Sequence, residues 1–223
     1  MIQIDQLIRT RRKSIALIVQ RDGSLIVRAP LRSSDKQIIT VVNSKSEWIK
    51  AKQELVKAVY PPFAPKEYVN GEGFWFLGKI HKLEILESQR PALLLNGTFR
   101  LARRALVRAE KTFTDWYKAR ALQVITERVQ WYAAKHGLKY GQIKITSART
   151  RWGSCNFRGT LSFSWRLVMA PVPVIDYVVV HELAHTVEKN HSKKFWARVQ
   201  IIMPDYRNRI EWLDKNGHLF NLR

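Results

Sequence analysis

His181-Glu182-Leu183-Ala184-His185, followed by His191, is the stretch of this chain that decides its fold. Side chains four positions apart lie on one face of an α-helix, so both histidines of the five-residue motif can direct an imidazole nitrogen at one metal ion. Glu182 is rotated off that line, and it can reach a metal-bound water without binding the metal. The motif therefore predicts a zinc site with its own general base.

A third ligand is expected shortly after the motif. His191 lies too far along to follow His185 on a straight helix, but it becomes a third nitrogen ligand if the helix ends near residues 188–190 and the chain turns back. Asn190 could supply a left-handed turn there. Glu188 is the alternative third ligand, or else it accepts a hydrogen bond from a histidine. Three protein ligands plus water are typical of a catalytic zinc.

The residues before the motif favour a buried helix. Asp176-Tyr177-Val178-Val179-Val180 gives it an acidic start and an apolar body. Asp176 is predicted to be the N-cap, because Pro171 and Pro173 oppose an earlier helix start. The alternative is an ordinary buried helix with two hydrogen-bonded histidines and a surface glutamate.

Composition indicates a folded protein of one large domain or two small ones. The chain has 223 residues, of which 46% are hydrophobic, and it contains one cysteine, Cys155, so no intrachain disulfide can form. No run of apolar residues is long enough for a membrane span, and the first residues do not resemble a signal peptide. These features predict a cytoplasmic location and no membrane partner.

The net charge of +21 implies attraction to polyanions, although a basic surface can also serve only solubility. The densest basic stretch is predicted to form one face of helical segments. It contains Arg100, Arg103, Arg104, Arg108, Lys111, Lys118, Arg120 and Arg128. No zinc-finger spacing or other base-reading motif is present, so any nucleic-acid binding is expected to be independent of sequence.

The N-terminal pattern is β-rich. Two hairpins are predicted, one turning at Arg21-Asp22-Gly23 and one at Gly78, because these turn residues separate runs with high strand propensity. Two helices, each starting at a serine, are expected over residues 34–42 and 46–60, and Pro61 and Pro62 should break the chain after them.

The C-terminal pattern is mainly helical. Gly97 is predicted to open an arginine-rich helical stretch, and a long helix should run from its cap Thr114 to Gly137. Further strands are expected over residues 142–146 and 160–165, and further helices over residues 192–203 and 205–216. The prediction is an α+β fold with a soft boundary between residues 1–92 and 93–223, the second part carrying the zinc site.

At several places the chain resembles the YgjP-like metallopeptidases, and more distantly the SprT-type and WLM-type proteases linked to DNA–protein crosslink repair. The resemblance is carried by Arg149-Thr150-Arg151-Trp152-Gly153-Ser154-Cys155, residues 161–170 and 176–185, His191-Ser192 with Phe195-Trp196, residues 69–78 with Leu83, and residues 27–30. It implies a small gluzincin-like core with a short sheet, an active-site helix and a supporting helix. It also implies that His181, His185 and His191 bind zinc while Glu182 is the base.

Three functions are compatible with these features. A zinc-dependent metallopeptidase acting on peptides or proteins is favoured by the motif and the resemblance. A metal-dependent nucleotide pyrophosphatase of the UTP type is the alternative, since some YgjP-like proteins carry that assignment and the chain is strongly basic. The third is a nucleic-acid-associated protein with a secondary zinc site. Arg149 and Arg151 are candidates for substrate or oxyanion binding, or for a structural ion pair under the motif helix.

Overall fold

The architecture is α+β, as the sequence pattern predicts. The computed structural model describes residues 2–20, 23–59, 65–220 and 222. By its internal contacts the chain divides into two compact units, Met1–Ala64 and Pro65–Arg223. The soft boundary predicted at residues 92–93 falls inside the second unit, where strands on either side of it belong to one sheet.

The first unit packs two helices on a small sheet. Its elements are β1 (Gln6–Thr10), β2 (Ala16–Val19), β3 (Leu25–Pro30), α1 (Asp35–Ser44) and α2 (Ser46–Val59). The central strand β3 pairs parallel with β1 and antiparallel with β2. The predicted first hairpin and both helices are therefore confirmed, and the Ser34 hydroxyl caps α1 by accepting from the Gln37 amide at 3.2 Å. Arg21, Asp22, Pro61 and Pro62, where the turn and the break were predicted, lie outside the described residues.

A four-stranded sheet opens the second unit. It contains β4 (Gly73–Phe76), β5 (Lys79–Leu86), β6 (Leu93–Asn96) and β7 (Thr98–Ala102), in the order β4-β5-β7-β6. The predicted hairpin at Gly78 is confirmed. The prediction that Gly97 opens a helix is wrong: Gly97 has a φ of +72° and joins β6 to β7. Phe99 and Leu101 alternate into the core on either side of Arg100, and this strand periodicity outweighs the helical pattern suggested by the arginines.

The long helix α3 spans Ala109–His136 and forms the centre of the second unit. It begins before the predicted cap Thr114, directly after a 3₁₀ segment at Arg103–Arg108. Its end at the left-handed Gly137 is confirmed. One stripe of the helix is fully buried, consisting of Phe113, Tyr117, Ala121, Ile125 and Val129. Later elements of the second unit pack against this buried face of α3.

The last elements of the chain build the region around the histidine motif. They are β8 (Ile143–Thr146), β9 (Gly153–Cys155), β10 (Leu161–Ser164), α4 (Val172–Ala184), α5 (Lys193–Ile202) and α6 (Tyr206–Asn216). The sheet order is β8-β10-β9. The strand β9 was not predicted, because three residues are too few to show an alternating pattern. Across the described ranges, no helix combines the length and apolar character needed to cross a membrane.

Candidate metal centre

The motif helix α4 starts earlier than predicted. Pro171 is its N-cap and Pro173 lies in its first turn, where a missing amide hydrogen leaves no hydrogen bond unmade. The prediction of Asp176 as N-cap is therefore wrong. Asp176 is a buried interior residue of the helix, and its carboxylate accepts two hydrogen bonds from Arg128 of α3, at 2.5 and 2.8 Å.

This ion pair joins the two central helices of the second unit beneath the motif. The Arg128 guanidinium also lies 5.2 Å from the centre of the Trp131 ring. The apolar body of α4 is almost entirely buried, with Val179, Val180 and Leu183 completely inaccessible. The helix that carries the first two histidines is consequently held by packing and by a bidentate charge pair.

The three predicted histidines come together at the end of this helix. The Nε2 atom of His191 lies 2.9 Å from that of His181 and 3.1 Å from that of His185. Ligand nitrogens around a tetrahedral zinc are about 3.3 Å apart, so one ion could contact all three. In the part of the chain that the structure describes, no other group of three or more potential ligands is found.

The chain turns sooner than predicted, and this turn brings His191 back towards His181 and His185. α4 ends at Ala184, and the backbone carbonyl of Glu188 lies 2.9 Å from Nδ1 of His185. A proton on Nδ1 donated to this carbonyl leaves Nε2 of His185 free to bind a metal. The Glu188 carboxylate is not part of the histidine group. Asn190 is not left-handed, since Tyr68 and Leu77 are the only non-glycine residues with positive φ among those described.

Two neighbours of the histidines were not singled out as partners from the sequence. The Tyr177 hydroxyl lies 3.4 Å from Nδ1 of His181, one helical turn earlier on α4. The ring of Phe195, buried on α5, packs 4.9 Å from His181 and 4.8 Å from His191 between ring centres. The four-residue spacing from Tyr177 to His181 was a signal of this contact.

Glu182 is a buried residue of α4, next in sequence to His181. It is 5% exposed, and its Oε2 atom has no hydrogen-bond partner among the described residues. Gly153 of β9 is so close that an added Cβ would lie 2.5 Å from Oε1 of Glu182. A side chain at the start of β9 would therefore displace the Glu182 carboxyl group, a role of Gly153 that the sequence alone did not indicate.

Burial shifts the pKa values of Glu182 and His181 in opposite directions. It raises the pKa of Glu182 to about 8, against the opposing charge of Arg151. Burial, with His185 and His191, lowers the pKa of His181 to about 3. Three imidazole Nε2 atoms thus converge beside a buried carboxyl group, one oxygen of which has no hydrogen-bond partner among the described residues. The residues present therefore fit a bound metal cation.

A cleft of about 250 Å³ adjoins Glu182 between α4, α6 and the start of β9. It is lined by Trp152, Gly153, Tyr177, Val178, His181, Glu182, Ile210, Leu213 and Asp214. Trp152, at its wall, packs edge-on against Phe220, with 6.0 Å between ring centres. The cleft gives the carboxyl group access to a bound molecule, and its walls combine apolar side chains with the polar groups of Tyr177, His181 and Asp214.

The two tentative arginines lie on the loop between β8 and β9. Arg149 and Arg151 are both exposed, and within the described ranges neither forms an ion pair. The structural ion pair expected under the motif helix exists, but Arg128 and Asp176 make it. Cys155 at the end of β9 is partly buried and lies outside the histidine group, and burial raises the pKa of its thiol.

The arginine-rich stretch does not form the single helical basic face that was predicted. Arg100 lies on β7 rather than on a helix. Half of the eight basic side chains are paired with carboxylates, in the pairs Arg100–Glu84, Arg103–Glu87, Lys111–Asp115 and Arg128–Asp176. Local pairing leaves less free positive charge here than the composition implies.

An α+β core that gathers three histidines around the end of a buried helix defines a metallopeptidase-type fold. The chain belongs to the YgjP-like family, whose metallopeptidase domain matches residues 13–216. Among solved structures it is similar to the metallopeptidase zymogen of Pyrococcus abyssi abylysin, with 19% identity, a TM-score of 0.39, and coverage of 44% of this chain and 99% of that one. No curated protein matches the chain.

Proposed function

We propose that this protein is a zinc-dependent peptidase in which His181, His185 and His191 hold the metal and Glu182 is the general base. The observation that carries the proposal is the convergence of three imidazole Nε2 atoms next to a buried carboxyl group with an unpartnered oxygen. Membership of a metallopeptidase family supports peptide hydrolysis.

Zinc is the metal that best suits this donor set. All three candidate donors are imidazole nitrogens, which zinc accepts readily, whereas magnesium and calcium prefer oxygen ligands. Three protein ligands leave a position open for catalysis. When bound, zinc supplies Lewis acidity that makes water a nucleophile near neutral pH.

Glu182 would move the proton that the reaction requires. It accepts a proton from the attacking water as the new oxygen–carbon bond forms at the peptide carbonyl. It then delivers that proton to the leaving nitrogen as the carbon–nitrogen bond breaks, so that a carboxylic acid and an amine are produced. Gly153 leaves Glu182 the space to face the cleft.

The test is hydrolysis of an unfolded protein by the zinc-loaded chain, compared with Glu182→Gln. The amide cannot accept a proton, so activity should fall by about 10²- to 10⁴-fold while zinc content and fold are kept. Glu188→Gln is the matched control, because the Glu188 carboxylate lies outside the histidine group and its backbone carbonyl is retained. A fully active Glu182→Gln variant would exclude this mechanism.

A phosphoanhydride hydrolase acting on nucleotides is the second candidate. Exposed Arg149 and Arg151, free of ion pairs among the described residues, favour an anionic substrate. Zinc-loaded protein should therefore be incubated with nucleoside triphosphates in parallel with the unfolded protein. Glu182-dependent release of pyrophosphate without any proteolysis would assign the site to nucleotides.

A further inference from the structure

Two exposed segments border the histidine cluster, and both carry basic side chains. One is the loop before β9, with Arg149 and Arg151 exposed just ahead of Gly153, the residue in contact range of Glu182. The other surrounds His191 and carries exposed Lys189, Lys193 and Lys194. We call these five residues the basic rim.

The positive charges of the basic rim are not used to form ion pairs within the described part of the chain. Within the described ranges, none of its five side chains is in an ion pair, whereas half of the arginine-rich stretch is paired. Lys193 and Lys194 also occupy the first turn of α5, where no acidic residue offsets them. Positive charge at a helix N-terminus opposes the helix dipole, so this placement destabilises α5.

We propose that the basic rim selects polypeptide segments whose acidic side chains flank the bond to be cleaved. This inference rests on the proposed peptidase function. Arg151 directly precedes Trp152, which lines the cleft beside Glu182. Lys189 and Lys193 are each two residues from His191. Carboxylates of a polypeptide bound at the site would therefore meet the rim. An acidic polypeptide is favoured over nucleic acid because the unpaired charge lies on two short segments next to the site residues instead of forming one continuous face along α3.

Binding can be measured without cleavage on the full-length, zinc-loaded Glu182→Gln protein. The probes are a short fluorescein-labelled peptide rich in Glu and its analogue with Gln at the same positions, followed by fluorescence anisotropy. The acidic peptide should bind roughly tenfold more tightly at low salt, and the preference should shrink as salt rises. Equal affinities for the two peptides would overturn the proposal.

Two rim variants locate the effect. Arg149→Gln with Arg151→Gln, and Lys193→Gln with Lys194→Gln, should each weaken binding of the acidic peptide roughly three- to tenfold. The matched control is Lys79→Gln with Lys82→Gln, which removes the same charge from exposed positions of β5. An equal loss in the control would assign the binding to overall charge. A single-stranded oligonucleotide that binds more tightly than the acidic peptide, and loses affinity in the rim variants, would also overturn the proposal.

Cleavage by the wild-type, zinc-loaded protein separates this inference from the function on which it rests. Faster cleavage of the acidic peptide supports both. If both peptides are cleaved at the same rate, the peptidase function is supported and the proposed selectivity for acidic segments is rejected. If the acidic peptide binds through the rim but neither peptide is cleaved, the peptidase function is rejected, while recognition of acidic polypeptide by the rim is supported.

Discussion

The candidate metal ligands come from two regions that differ in their physical character. His181 and His185 lie on and directly after α4, a helix that is almost wholly buried and tied to α3 by an ion pair. His191 lies in an exposed segment without helix or strand, between α4 and α5. Helical geometry aligns the first pair locally, whereas the third ligand depends on the path of the chain. A metal centre at these histidines would combine a rigid pair of ligands on a helix with a third ligand supplied by a loop.

Removing one ligand from each region should distinguish their roles. His181→Ala and His191→Ala should both lower zinc affinity more than about a hundredfold, beyond the effect expected for an outer partner. In metal-free protein, His181→Ala should reduce the free energy of unfolding by about 1 kcal/mol and His191→Ala by less, because His181 is partly buried whereas His191 is exposed. Zinc titration and urea denaturation measure the two effects. Retained zinc in His191→Ala, with loss in Glu188→Ala, would assign the third ligand to Glu188.

The region around α4 should not tolerate a larger residue than glycine at position 153, beside the proposed base Glu182. Gly153→Ala would place a methyl group against the Glu182 carboxyl and displace it, so peptide hydrolysis should fall about a hundredfold while zinc remains bound. Ser154→Ala, one residue further along β9, is the control and should stay active. Normal hydrolysis by Gly153→Ala would mean that the observed position of Glu182 is not the working one.

The attachment of α4 to α3 should be the main polar contribution to the rigidity of this region. Asp176→Asn removes the charge that pairs with the partly buried Arg128, and we expect the free energy of unfolding to fall by about 2–3 kcal/mol. Asp115→Asn breaks the exposed pair with Lys111 and should change it by less than about 0.5 kcal/mol. Similar values for both in urea denaturation would argue against a special role for the buried pair.

The smallest expected effect concerns the hydrogen bond behind His181. Tyr177→Phe removes the acceptor near Nδ1 of His181, which should weaken zinc binding about tenfold and leave the fold intact. Tyr117→Phe is the matched control, since that hydroxyl donates instead to the Trp75 carbonyl, at 2.6 Å. The control should lower stability without changing zinc affinity in a chelator competition titration. If Tyr177→Phe binds zinc as tightly as the wild type, the Tyr177 hydroxyl lines the cleft but does not support the metal site.

Much of the fold could be predicted because its signals are local. The hairpin at Gly78, the cap at Ser192 and the end of α3 at Gly137 all follow from short-range backbone preferences. The errors arose where local signals pointed the wrong way. The arginines around β7 suggested a helix, and Asp176 looked like a cap because its partner is 48 residues away in sequence.

By itself the sequence determined the helical pair of histidines, the position of Glu182 beside them, the end of α3 at Gly137 and the cap of α5 at Ser192, because each depends on spacing within a few residues. Only the tertiary structure decided that His191 returns to that pair, that Gly153 gives Glu182 its space, and that Arg128 neutralises Asp176. These contacts join distant segments, and their geometry is set by the packing of α3, α4 and β9 instead of by any local preference.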